Sequence, residues 1–147
     1  MRWRRLGNLR PMINRSAPMT LDEILDNVAD QDRGRECELT DPVTGEPTGI
    51  KLLVVGPDSK TAHDARIAMT DELMEMTRHD GTVSGEDRER ARLNCLARLI
   101  VRWEQPDGMG NFIALSHANI MKLLRVSWVE AQIDAFASNR AHFREVA

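Results

Sequence analysis

The stretch Glu36–Ser59, ECELTDPVTGEPTGIKLLVVGPDS, decides the fold class. Cys37 and Leu39 alternate with Glu36, Glu38 and Thr40, the period-two pattern of a half-buried strand. Asp41–Pro47 reads as a turn, because Pro42 and Pro47 restrict φ and Gly45 can supply a positive one. Ile50–Val55 returns as a second strand rich in β-branched side chains. Gly56-Pro57 ends it, and Asp58 or Ser59 caps a helix. A two-stranded ribbon is marginal alone. It must pack on helices or gain strands from another copy.

Downstream, Ala62, Ala65, Met69, Leu73 and Met76 form a stripe at 3/4 spacing, which predicts a long helix to about Arg78. His79–Thr82 breaks it. Ser84 or Gly85 opens a second long helix with Glu86 and Asp87 in its first turn, where the macrodipole favours acids. Its predicted buried face is Leu93, Leu96, Ile100 and Trp103, with a loop over Gln105–Gly110. Phe112–Ala114 reads as an extended link. Ser116 caps a brief helix carrying Ile120, Leu123 and Leu124. Ser127 with Glu130 has the spacing of a capping box, opening a last helix that presents Val129, Ile133, Phe136 and Phe143.

Upstream, Thr20 and Glu23 have capping-box spacing, and Leu21, Ile24, Leu25 and Val28 share one helical face. That helix stops in the polar stretch Asp30–Arg35. Residues 1–19 hold Arg2, Arg4, Arg5, Arg10 and Arg15, no acid, and Pro11 and Pro18. They read either as a disordered basic arm or as an extension of a chain that starts at Met12 or Met19. The expected architecture is a mostly helical α+β domain over residues 20–147. It has a short β-hairpin followed by two long helices and a C-terminal helical pair.

Composition narrows the function classes. There is no Tyr, so the core must come from Leu, Ile, Val, Ala and Met, with Trp103, Phe112, Trp128, Phe136 and Phe143 as its large anchors. Five arginines lie in the first 19 residues and all 23 carboxylates lie beyond them, so the body is acidic and suits a nucleic-acid surface poorly. Cys37 and Cys95 fit no metal spacing and read as free thiols in a reducing compartment. The apolar runs are too short to span a membrane, and the N-terminus lacks the apolar stretch of a secretory signal.

The residues point to no catalytic, cofactor or metal site. His63, His79, His117 and His142 are scattered, with no pair at i, i+4. Asp71, Glu72 and Glu75 lie on one helix face rather than across a cleft. Ser59-Lys60 is the wrong geometry for an activated nucleophile, and Gly108-Met109-Gly110 lacks the GK[ST] of a phosphate loop. Cys95, beside Leu96 in a helix, reads as a small buried thiol. Met69 and Met76 fall on a buried-face stripe, whereas Met74 lies off it and is the better contact candidate.

Leu39-Thr40-Asp41-Pro42-Val43-Thr44-Gly45 and Gly56-Pro57-Asp58-Ser59 together resemble the start of the tail assembly chaperones of long-tailed phages and prophages. There, a hairpin built on DPxTG precedes a G-x-DS helix start. The resemblance continues through Leu99-Ile100-Val101-Arg102-Trp103 and Asn119-Ile120-Met121-Lys122-Leu123-Leu124. It ends with Gln132-Ile133-Asp134-Ala135-Phe136 and Asn139-Arg140-Ala141-His142-Phe143. It runs from about Glu36 to the C-terminus and leaves the arm and first helix outside.

The resemblance implies a non-enzymatic helper that binds the tape measure protein, helps tail tube protein polymerise around it and leaves before the virion is complete. Many such proteins are also extended by ribosomal frameshifting. No catalytic residue is carried over. The expected partners are therefore the tape measure and tail tube proteins, with self-association open, no membrane and no cofactor, in the host cytoplasm. An amphipathic client helix laid in a groove is the expected binding mode. The contacts would fall on Ile120, Leu124, Trp128 and Phe136 and around Met74 and Met76. Two other readings compete. A structural head–tail connector or tail terminator would use the ribbon to extend a sheet between subunits. A small DNA-binding regulator is suggested by the Arg-rich arm and the turn Arg125-Val126-Ser127, but its recognition helix would carry Glu130 and Asp134.

Overall fold

The computed structural model describes residues 17–105 and 107–144. Most of the expected basic arm, residues 1–16, lies outside them. The elements run α1 (Leu21–Gln31), β1 (Arg35–Thr40), β2 (Pro47–Val54), α2 (Lys60–Glu75), α3 (Gly85–Ala97), β3 (Ile100–Glu104), α4 (His117–Leu124) and α5 (Ser127–Ser138). A 3₁₀ turn, Arg140–Phe143, follows. The fold is α+β and mostly helical.

The hairpin forms where its residues dictate. Cys37 pairs with Leu52, Glu36 with Leu53 and Glu38 with Lys51. Asp41 organises the turn: Oδ1 accepts from Val43 N at 2.8 Å and Thr44 N at 3.1 Å, and Gly45 adopts φ 77°. These bonds to the charged form hold the exposed Asp41 carboxyl below its ordinary value.

The ribbon gains its third strand from its own chain. β3 pairs antiparallel with β2, giving the order β1-β2-β3. This corrects the helix expected to extend through Ile100 and Trp103, since α3 stops at Ala97. The register slips between Leu53 and Val54: Leu53 faces Arg102 while Val54 faces Ile100, leaving Val101 as the extra residue of a bulge. A bulge puts Ile100 and Trp103 on one face of a strand at a spacing of three. That spacing imitates a helical period.

One sheet face is apolar: Cys37, Leu39, Leu52, Val54, Ile100 and Trp103 are buried. α3 covers it with Leu93, Leu96 and Ala97, α4 with Ile120, Met121 and Leu124, and α5 with Val129, Ile133 and Ala137. Phe143 seals the end of this core with no exposed surface. Burying a side chain of this size contributes roughly 1.5–3 kcal/mol. The opposite sheet face carries Glu36, Glu38, Lys51, Arg102 and Glu104 around the half-buried Leu53. α2 leans on α3 through Ala62 and Ala65, whose small side chains are buried. Trp103 and Phe143 serve as core anchors, and Trp128 and Phe136 pack on the core half-buried. Phe112 does not: it is 62% exposed on the loop after β3.

Four helix caps form at expected residues. Thr20 and Glu23 make a reciprocal capping box, and Ser59, Ser84 and Ser116 accept from the third residue of their helices. The second capping box does not form. The N-cap of α5 is Val126, Ser127 lies inside the helix, and Glu130 instead meets Arg92 at 2.7 Å. The α4–α5 link is only Arg125-Val126, and Val126 already has the extended backbone a cap position needs.

Candidate partner-binding surfaces

The expected contact residues fall into three environments. Met74 is 70% exposed near the end of α2, and Met76, its C-cap, is half-buried. Trp128 and Phe136 are half-buried against the core, Phe136 stacked on His142 with ring centroids 4.2 Å apart. Ile120 and Leu124 are core residues, turned inward between the sheet and α5. As expected partner contacts they are therefore corrected to core positions: the 3/4 spacing that marks an apolar face is used here to close the core. Leu124 does reach the floor of a cleft of about 400 Å³ between α3 and the α4–α5 turn. Leu93 and Met121 share that floor, and Glu86, Glu89, Arg90 and Glu130 line its sides. A second cleft of about 380 Å³ opens between α2, α3 and α5, with Ala62, Met69, Leu96 and Ala137 among its lining residues and Arg66 and Asp134 beside them. Neither cleft includes Met74 or Met76.

Two apolar surfaces escaped the sequence reading. One is the loop after β3, where Met109, Phe112, Ile113 and Leu115 are exposed. Its backbone is nonetheless fixed. Ile113 N donates to Gln105 O at 2.8 Å, Trp103 Nε1 donates to Ile113 O at 3.0 Å, and Asp107 Oδ1 accepts from Met109 N and Asn111 N. The other is α1. Its apolar face of Leu21, Ile24 and Leu25 points to solvent, and only Val28 is half-buried.

The reason lies in how α1 is attached. Gln31, the last residue of the helix, is buried, and its amide ties α1 to the segment that precedes α2. Oε1 accepts from Asp58 N at 2.8 Å, while Nε2 donates to Asn27 Oδ1 at 2.9 Å and Asp58 Oδ2 at 3.3 Å. Asn27 Nδ2 in turn donates to the Phe143 carbonyl at 2.9 Å. Asp32 accepts from Lys60 N and Thr61 N, the free amides at the start of α2. Arg140 grips Asp58 bidentately at 2.8 and 2.9 Å. A buried amide is stable only when its polar atoms are paired, and Gln31 meets that condition. The polar edge of α1 is therefore the docked edge. Gly56 belongs to the same seam: a Cβ there would lie 2.3 Å from Gln31 Oε1.

Ionisable groups follow their surroundings. The Arg140 hydrogen bond holds the Asp58 carboxyl below its ordinary value, against a burial penalty and with help from Gln31. Burial raises Asp32, but the bonds from Thr61 and Lys60 together outweigh it and the net shift is down. Burial pushes the Cys37 thiol up to about 11, and also raises Cys95. Neither thiol is activated as a nucleophile by its environment. Among the described residues, no group of three or more His, Cys, Asp and Glu is placed to hold a metal, and no helix is long and apolar enough to cross a membrane.

Comparison with protein-family models, with curated proteins and with solved structures found no match to this chain.

Proposed function

We propose that this chain is a non-enzymatic assembly chaperone of a long-tailed phage or prophage. It acts in the host cytoplasm, covering apolar stretches of the tape measure protein while tail tube protein polymerises around it. Support comes from the resemblance between Glu36 and Phe143, and from one structural observation that carries most weight. An acidic chain displays large apolar side chains at separated positions on ordered elements: Leu21 and Leu25 on α1, Met74 on α2 and Phe112 on the loop after β3. Reversible cover for an apolar client needs such surfaces. Co-expression with the tape measure protein tests the reading: the client becomes soluble and co-purifies. A client that stays insoluble and unbound beside a folded chain defeats it.

The connector or tail-terminator reading draws on a different observation. β3 is an edge strand, and its bulge residue Val101 is exposed. Edge strands invite pairing with another copy. Retention of this chain in purified particles favours that reading, and its absence from them favours the chaperone.

A further inference from the structure

Leu21, Ile24 and Leu25 are 68%, 44% and 53% exposed, although they form the apolar side of an 11-residue amphipathic helix. At about 100° per residue, they and Val28 make one continuous strip roughly two turns long. One flank of the strip is the seam, where Asn27 and Gln31 bond to the body. Beyond Leu25, the other flank is Asp22 and Asp26, which carry no ion pair among the described residues. α1 contains no Lys or Arg. The strip is also preorganised, since Gln31, Asn27 and Asp32 hold the helix before any partner arrives, which lowers the ordering cost of binding.

A segment lying along this strip sets its own apolar side on Leu21, Ile24 and Leu25 and its outer edge beside Asp22 and Asp26. A cation at that edge gains and an anion loses. We propose that α1 is a docking surface for an amphipathic basic helix of another protein, with aliphatic side chains on the strip and Lys or Arg facing Asp22 and Asp26. A second α1 suits the site poorly, because it would bring acid against acid. The surface follows from the geometry of α1 alone and does not depend on the tail-assembly reading.

The test is fluorescence anisotropy of the full chain with a labelled synthetic helix of Leu and Lys, at low and moderate salt. The wild type should bind, more weakly as salt rises. Leu21→Ser/Leu25→Ser should weaken binding by roughly tenfold or more. Asp22→Asn/Asp26→Asn should weaken it by about threefold and flatten the salt dependence. All four side chains are exposed, so the melting temperature of each variant should match the wild type and show that the fold is intact. Unchanged affinity in the serine variant overturns the proposal, as does equal binding of a Leu and Glu helix. Wild-type self-association lost in the serine variant would make a second copy the occupant. At least a tenfold gain in peptide affinity on changing Arg2, Arg4, Arg5, Arg10 and Arg15 to Gln would make the chain's own N-terminal segment the occupant. Either result also overturns it.

Discussion

Two helices with similar apolar spacing, α1 and α5, meet the rest of the molecule in opposite ways. In α5, Val129, Ile133 and Ala137 sink into the core, and Gln132 adds two bonds to the backbone of edge residue Thr40, at 3.0 and 2.9 Å. In α1, Leu21, Ile24 and Leu25 face water, and Gln31 and Asn27 make the attachment. A glutamine that supplements apolar burial in one helix stands in for it in the other. Amphipathic spacing says that a helix has an apolar face. It does not say what that face meets.

The sharpest contrast comes from one substitution made in both helices. Ile133→Ala should cost about 2–5 kcal/mol, because the site is fully enclosed. Ile24→Ala should change stability by no more than about 0.5 kcal/mol, because that side chain is half in water. Urea unfolding followed by circular dichroism measures both, and comparable losses would break the comparison. Next in size, Gly56→Ala should cost about 1–3 kcal/mol by driving a Cβ into the Gln31 amide. Gln31→Ala should cost about 1–3 kcal/mol by leaving Asp58 N without its acceptor. Both should release α1 while β2 keeps its hydrogen-exchange protection.

Smaller effects separate the two helix starts. Thr20→Ala should cost about 1 kcal/mol, felt as fraying of α1, because Thr20 anchors a complete capping box. Ser127→Ala should stay within about 0.5 kcal/mol, because Ser127 makes no cap bond. Smallest is the response to acid. Asp32 and Asp58 have folded-state values lowered from 3.8. Their contribution is therefore full above the ordinary carboxylate value and fades as pH falls below 3.8 through the folded values. Acid titration followed by amide signals should show α1 loosening before the sheet, and Asp58→Asn should remove part of that early phase.

Local chemistry was legible in the sequence and long-range chemistry was not. The hairpin, its Asp41 turn and the caps at Thr20, Ser59, Ser84 and Ser116 depend on residues within a few positions of one another. β3 was missed because the bulge at Val101 places Ile100 and Trp103 at a helical spacing. The role of Gln31 was not legible because its partners Asp58 and Gly56 lie a hairpin away, and the carbonyl that Asn27 bonds belongs to Phe143, 116 residues on. Capping-box spacing at Ser127 and Glu130 misled because Arg92, on another helix, takes the carboxylate. Among the expected contact residues, Met74 lies off the apolar stripe of α2 and is exposed. Ile120 and Leu124 could not be told from core, because a core face and a binding face share one pattern until the opposing element is known.

Native-state hydrogen exchange with increasing urea tests the central claim most directly, namely that α1 is held by a polar seam rather than by the core. The amides of Ile24–Asp30 should exchange through a low-energy local opening with little urea dependence, and Gln31→Ala should lower that opening energy further. Those of Leu52–Val54 should exchange only with global unfolding. Equal protection and equal urea dependence in the two segments would contradict it and place α1 in the same cooperative unit as the sheet.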